Sequence, residues 1–401
     1  MTYDVAAVRA RFPALASGFA HFDGPGGTQT PRPVIDAMAD ALANPLSNRG
    51  DGTPGERNAT AIVVEARRAL ADLLGADPAG IVFGRSATQL TYDFSRALAK
   101  SWAPGDEVVI TRLDHDSNVR PWIQAAERAN AVVRWVDFDT ETGELTLDHV
   151  RAALSDRTRL VAITAASNLI GTQPDIPAIA RLVHDAGGLL YVDGVHHMAH
   201  ASVDLADFGA DFYVCSSYKF LGPHLGVLGA SPSLLETVWP DKLLSSTNVV
   251  PERFEFGTLP YELLAGARAA VDFLAGLSPA SAGTRRERLV ATYATLGEHE
   301  DVLRSRIEAG IAELGPVHVY SRAARRTPTL LLTIADRSTV DAYRFLAERK
   351  VHAPSGSFYA IEASRRLGLG DAGGLRIGLA PYNDAEDVER LLDALAKFVY
   401  A

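Results

Sequence analysis

The chain of 401 residues has a single cysteine, Cys215, so an internal disulfide is excluded and the composition suits a reducing compartment. No apolar run reaches the roughly 20 residues needed to cross a bilayer. Basic residues are in deficit: 39 Lys and Arg against 49 Asp and Glu leave a net charge of -10. That balance argues against unaided binding to nucleic acid or to anionic membrane surfaces. The opening stretch, MTYDVAAVRARFPALASGF, has an early acid and no long apolar core, so no signal peptide is expected. Low-complexity tracts and fixed-period repeats are missing as well. A soluble, cytoplasmic protein without nucleic-acid or membrane partners is the expectation. At 47% hydrophobic and 22% charged residues the chain is ordinary for a globular protein. Its length suggests two domains, or one large domain with an appendage.

Helical and strand patterns alternate through the first two thirds. Glu56 to Leu74 repeats apolar residues at helical spacing and ends at Gly75. Seven short apolar runs follow: Ile81 to Phe83, Val108 to Thr111, Val132 to Val136, Leu160 to Thr164, Leu189 to Val192, Phe212 to Val214 and Gly226 to Leu228. Helix-like segments lie between them, such as Pro121 to Asn130, Thr146 to Leu154 and Ile176 to Ala186. This alternation predicts an α/β fold with a mostly parallel seven-stranded sheet covered on both faces. Beyond Tyr261 the rhythm changes. Helices at Tyr261 to Leu277, Arg285 to Leu314 and Ala385 to Tyr400, with strands at Thr329 to Ile334 and Leu375 to Leu379, suggest a smaller α+β domain. The expected division is 19–262 for the large domain, and 1–18 with 263–401 for the small one, although the long helix could belong to either.

Chemistry concentrates between Gly188 and Gly229. One strand run ends at Asp193, and the next ends in Ser216, Ser217, Tyr218 and Lys219. Pyridoxal 5'-phosphate chemistry needs such a pair: a lysine to form a Schiff base with the aldehyde, and a carboxylate to keep the pyridine nitrogen protonated. Asp193 as a helix cap and Lys219 as a surface residue is the plainer alternative, and the Ser, Tyr, Gly and Pro around Lys219 weigh against it. Phe83 to Gln89 turns from a strand into a helix through small residues, a geometry that suits phosphate binding or a simple N-cap by Ser86 or Thr88. His196 and His200 have the i, i+4 spacing of a metal pair, but no cysteine lies among them and the Glu of zinc-hydrolase motifs is missing. No metal is expected.

The segment YVDGVHH followed by CSSYKFLGPHLGVL resembles the lysine region of class V aminotransferases, in the cysteine desulfurase-like branch of fold-type I enzymes. HFDGPGGTQTP, RSATQ, LDHDSNVRPW, ASNLIGT, FEFGTLPYE and LRIGLAPYND extend the resemblance along nearly the whole chain. It implies that Ala87 and Thr88 hold the cofactor phosphate with Ser216 and Tyr218, and that His115 stacks on the pyridine ring. Asn168 is implied to sit beside the phenolic oxygen, and His196, where relatives have Gln, to hydrogen-bond it. Arg376 is implied to bind the substrate's α-carboxylate. Gly257 and Thr258 match a segment that reaches a neighbouring subunit's cofactor phosphate, so a homodimer with shared sites is expected.

One departure stands out. The desulfurase's nucleophilic cysteine loop corresponds to HAPSGSFYA, His352 to Ala360, with Tyr359 at the cysteine position and the preceding arginine lost near Pro354. Cys215 lies in an apolar run, where an inert buried thiol is expected. The sequence therefore predicts a desulfurase-like lyase acting on an amino acid by β-elimination without a persulfide-forming cysteine. Transamination or epimerisation is the alternative; a metal-dependent hydrolase and a non-catalytic binding protein are more distant ones.

Overall fold

The computed structural model describes residues 3–277 and 282–400. Seven strands form the main sheet: β1 (Ile81–Gly84), β2 (Glu107–Thr111), β3 (Val132–Val136), β4 (Thr158–Thr164), β5 (Leu189–Asp193), β6 (Phe212–Ser216) and β7 (Gly226–Ala230). Their spatial order is β1-β7-β6-β5-β4-β2-β3. Strands β6, β5, β4, β2 and β3 run parallel, and β7 pairs antiparallel with both β6 and β1. The expected mostly parallel seven-stranded sheet is present.

Strand side chains alternate between two buried layers. Val161, Ile163, Leu190, Val192, Tyr213 and Cys215 enter one core, while Leu160, Ala162, Tyr191, Phe212 and Val214 enter another on the opposite face. With both faces covered, each strand gains by being apolar at every position, so these strands read as continuous runs rather than as alternating patterns. Helix Pro54–Leu74 starts with a reciprocal cap, in which Thr53 Oγ1 accepts from Glu56 N and Glu56 Oε2 accepts from Thr53 N. It ends at Gly75, whose φ of 58° lies in the left-handed region. The helix expected from Thr146 to Leu154 is shorter, Leu147–Arg151.

A second sheet of four antiparallel strands carries Thr329–Ile334 and Gly374–Gly378 at its centre. Its core joins Leu330, Leu332, Leu375 and Ile377 to helices Thr339–Glu348 and Ala385–Tyr400. Ala20 and Phe22 also sit in this core, because Ala20–His21 pairs with Val351–His352. Helix Tyr261–Gly276 packs instead on the large core, through Leu264, Ala267 and Val271.

Helix Arg285–Ala312 serves both bodies. Leu289, Tyr293 and Leu296 join the large core, whereas Leu303, Ile307 and Ile311 join the small one. Its apolar stripe changes partner midway, and the buried residue between the two halves is Glu300. Among the described residues no helix is long and apolar enough to cross a membrane.

Candidate active site

Four parallel strands deliver the candidate residues. In open α/β sheets ligands gather beyond the carboxyl ends of strands, where the order of connection reverses. Here the chain moves outward from β2 to β3, then returns through β4, β5 and β6 on the other side. His115 follows β2, Asn168 follows β4, Asp193 and His196 close β5, and Ser216 to Lys219 close β6. Arg376 enters from the second sheet, and all of these residues except Ser217 line one cavity of about 670 Å³.

Lys219 is almost completely buried, and its ammonium group donates to the carbonyl of Pro25. Burial first, then the nearby Arg376, brings its pKa down to about 7, against the opposing pull of Asp23 and Asp193. Asp193 is also buried; its Oδ1 accepts from Val195 N at 2.9 Å. Desolvation raises its pKa to about 6 and outweighs that hydrogen bond and the attraction of Lys219. His115 accepts from Ser117 N at 3.1 Å through Nδ1, which leaves Nε2 to carry the proton. Burial, then Lys219 and Arg376, hold it neutral with a pKa of about 4.

The turn before helix Ala87–Ala99 combines two functions that the sequence left as alternatives. Ser86 caps the helix by accepting from Gln89 N at 3.1 Å, and Ser216 Oγ accepts from Ala87 N at 3.2 Å. The Thr88 amide has no partner among the described residues, and Thr88 lines the cavity. A free amide at a helix start attracts an anion. Gly226 permits this turn its position, since a Cβ there would lie 2.4 Å from the Ser86 carbonyl carbon.

Arg376 is fully buried. Its Nη2 donates to Asp23 Oδ1 at 2.6 Å, its Nη1 to Asn168 O at 3.1 Å, and its guanidinium lies 3.6 Å from the Phe358 ring centre. Nε is buried and unpartnered. Asp23 lies within the quoted HFDGPGG motif, yet sequence reasoning did not single it out; an acid beside a glycine-rich turn was the available signal.

Phe358 and Tyr359, in the segment that the resemblance matches to a cysteine loop, form the roof of the cavity. Phe358 and Tyr359 both take left-handed backbone, with φ of 51° and 59°, a conformation that costs non-glycine residues about 1–3 kcal/mol each. Two hydrogen bonds hold it: Asn168 Nδ2 donates to Phe358 O at 2.9 Å, and Asp116 N donates to Tyr359 O at 2.7 Å. The Tyr359 ring is exposed and lies 5.4 Å from the His115 ring. Cys215 points into the large core, away from solvent, where burial pushes its thiol far above the usual range.

The three histidines after Asp193 take separate polar partners. His197 bonds Tyr213 OH at 3.1 Å and His200 bonds Glu300 at 2.9 Å. Among the described residues no group of three His, Cys, Asp or Glu is placed to hold a metal ion. Gly257 and Thr258 are exposed and do not line the cavity.

The residues present suit a ligand with an aldehyde, a pyridine nitrogen and a phosphate. A near-neutral amine can condense with the aldehyde, Asp193 can pair with the ring nitrogen, and the Thr88 amide awaits an anion. Asn168 Oδ1, buried and unpartnered, is a further polar group that a ligand would satisfy.

The buried lysine also makes stability depend on pH. Its folded pKa of about 7 lies below the usual 10.5. Between these values the unfolded chain holds a proton that the folded chain lacks, so the Lys219 contribution rises with pH across that window. In urea titrations of the ligand-free protein, Lys219→Met should flatten this rise; an unchanged slope would mean that Lys219 keeps its proton when folded.

Comparisons with known proteins agree with this geometry. The class V aminotransferase family model matches residues 20–391. An uncharacterized protein of Mycobacterium tuberculosis is 31% identical over 407 residues, covering 99% of each chain. A probable cysteine desulfurase of Pseudomonas aeruginosa is 30% identical over 405 residues, covering 96% of each. The fold matches the apo structure of a cysteine desulfurase from Thermococcus onnurineus with a TM-score of 0.89 at 24% identity, covering 100% of this chain and 99% of that one. The chain belongs to the class V aminotransferases, fold-type I enzymes that use pyridoxal 5'-phosphate.

Proposed function

We propose that this enzyme is a cysteine desulfurase-like lyase that cleaves a β-substituent, such as sulfur, from an amino acid without an enzyme-bound persulfide. The observation that carries the reading is the near-neutral Lys219 amine facing the buried Asp193 in a cavity whose roof bears Tyr359 and no cysteine. The similarity to a probable cysteine desulfurase supports C–S cleavage over the alternatives of transamination and epimerisation. When bound, pyridoxal 5'-phosphate supplies an electron sink for charge developing at the substrate's Cα.

The chain's own groups divide the remaining work. Ala87, Thr88, Ser216 and Tyr218 would hold the phosphate at the helix start, and Asn168 and His115 would bound the ring. Asp193 would pair with the ring nitrogen and favour its protonated form. Arg376 orients the substrate carboxylate through its buried guanidinium, whose Nε is free to donate. Lys219, its amine brought toward neutrality by burial, takes the proton from Cα. The net reaction would convert an amino acid bearing a β-sulfur and one water into a keto acid, ammonium and sulfide, with the Cβ–S electron pair leaving on sulfur and no external oxidant or reductant required.

A cytoplasmic homodimer with shared sites belongs to the same proposal. Trp239, Leu243, Leu244, Val249 and Phe256 expose apolar surface just before Gly257 and Thr258, and a second copy covering it would bring that segment toward its neighbour's cavity. Sedimentation should give a dimer, and Thr258→Ala should weaken cofactor retention. A fully active monomer would contradict the shared site.

Sulfur amino acids should release sulfide and keto acid together, and Cys215→Ser should keep most of this turnover. A persulfide on Cys215, with activity abolished by the substitution, would restore a desulfurase mechanism; a keto acid formed only with an amino acceptor would favour transamination. Arg376→Ala should lower kcat/KM by about a hundredfold, a few kcal/mol of lost charge-assisted contact, while leaving the visible absorbance of the bound cofactor in place. Unchanged kinetics would remove Arg376 from substrate recognition.

A further inference from the structure

Asp23 brings to the cavity a charge that the proposed mechanism leaves unused. Its Oδ1 accepts from Arg376 Nη2 at 2.6 Å, and among the described residues it is the salt-bridge partner of that guanidinium. The arginine side chain is only 2% exposed, whereas that of Asp23 is 25% exposed. Asp23, Pro25 and Gly26 all line the cavity. Among the described residues the second carboxylate oxygen, Asp23 Oδ2, accepts no hydrogen bond. A Cβ on Gly26 would lie 2.2 Å from that oxygen, so a side chain there would displace or cover it.

The turn that carries Asp23 is fastened at both ends. Gly378 N donates to Phe22 O at 2.8 Å, which ties the turn to the strand bearing Arg376. Thr28 Oγ1 donates to Tyr218 O at 3.0 Å and accepts from Leu221 N at 3.0 Å, which ties it to the lysine segment. Between these anchors the carbonyl of Pro25 accepts from the Lys219 amine. Asp23 therefore stands between the arginine and the lysine, and its charge favours the protonated form of each against the burial that opposes it.

An amino acid reaching this site is a zwitterion near neutral pH. With its carboxylate on Arg376, its nitrogen is one carbon away and has to arrive beside the Lys219 amine. An ammonium group there finds two acceptors, Asp23 Oδ2 and the Pro25 carbonyl, and charges of opposite sign alternate around the ion pair. A keto acid of the same shape brings the carboxylate alone. It sets a second negative charge beside Asp23 in a pocket of low dielectric, with nothing to offset the repulsion.

We propose that Asp23 is a specificity-determining residue that selects zwitterionic amino acids over plain anions, by accepting a hydrogen bond from the α-ammonium group while Arg376 holds the carboxylate. The amino acid is gripped at both of its charges. The keto acid product is held at one and opposed by Asp23, which favours its departure. The proposal rests on the reading of Arg376 as the partner of the substrate carboxylate. A role for Asp23 confined to orienting Arg376 would treat both ligands alike.

A matched pair of probes tests it. N,N-dimethylglycine is a zwitterion with one N–H, and its tertiary amine cannot condense with an aldehyde; 3-methylbutanoate has the same shape without the positive charge. Their dissociation constants are measured by calorimetry on the cofactor-loaded enzyme near neutral pH. The wild type should prefer dimethylglycine by about tenfold or more. Asp23→Asn should remove the preference, weakening dimethylglycine and tightening 3-methylbutanoate, whereas Asp23→Glu should retain it. A wild type that binds 3-methylbutanoate as well as dimethylglycine, or binds neither, overturns the proposal, and this comparison needs no variant to fold. Equal weakening of both probes in Asp23→Asn also overturns it, since that is the mark of a structural role. Affinities for both probes that survive Arg376→Ala unchanged would sink the carboxylate reading of Arg376 instead.

Discussion

The site depends on the desolvation of one amine. Lys219 lies beyond the carboxyl end of a central strand, with a backbone carbonyl for a partner and almost no water. In that position its charged form is costly, and the nearby Arg376 raises the cost further. Asp23 and Asp193 pull the other way without cancelling the effect. The result is an amine poised near neutrality, able both to condense with an aldehyde and to carry a proton. Asp193 experiences the mirror image: burial raises its pKa, yet the Val195 amide and Lys219 limit the rise. A ligand carrying positive charge on its ring nitrogen would return the aspartate to its ionised form.

Holding charges this far from water requires rigid walls. One wall is the end of the seven-stranded sheet, fixed by apolar layers on both faces. The other comes from the four-stranded sheet, which inserts Arg376 and pins it between Asp23 and Phe358. Helix Arg285–Ala312 packs into both cores and so couples the two walls. At its crossover stands the buried Glu300, which pairs with His200 at 2.9 Å. The strained Phe358–Tyr359 backbone closes the roof through hydrogen bonds to Asn168 and Asp116. A roof tied down at two carbonyls is a poor carrier for a mobile nucleophile, in keeping with the tyrosine found there.

Much of this was legible in the sequence because the main sheet is buried on both sides. Continuous runs such as Leu189 to Val192 and Phe212 to Val214 revealed their strands directly, and the polar residues ending them, Asp193 and Lys219, marked the site. Arg376 could be named because LRIGLAPYND resembles the family segment that carries a carboxylate-binding arginine. What remained hidden depends on contacts distant in sequence. Asp23 gains its meaning from Arg376, 353 residues away. Glu300 looked like one acid among many on an Arg- and Glu-rich helix, and nothing local pairs it with His200. The long helix could not be assigned to one body because its two halves serve different cores. His196 was read as a hydrogen-bond partner of the cofactor's phenolic oxygen; Thr327 and Thr329, distant in sequence, hold its Nε2, while its Nδ1 has no partner among the described residues.

The central claim is that the desolvated Lys219 is the group that binds the cofactor covalently. Borohydride reduction of the cofactor-loaded protein, followed by proteolysis and mass spectrometry, tests it most directly. The account predicts one pyridoxyl adduct, on the peptide containing Lys219, and none in Lys219→Ala even where that variant retains cofactor through its phosphate contacts. Recovery of the adduct on another lysine, or an undiminished adduct in Lys219→Ala, would contradict it.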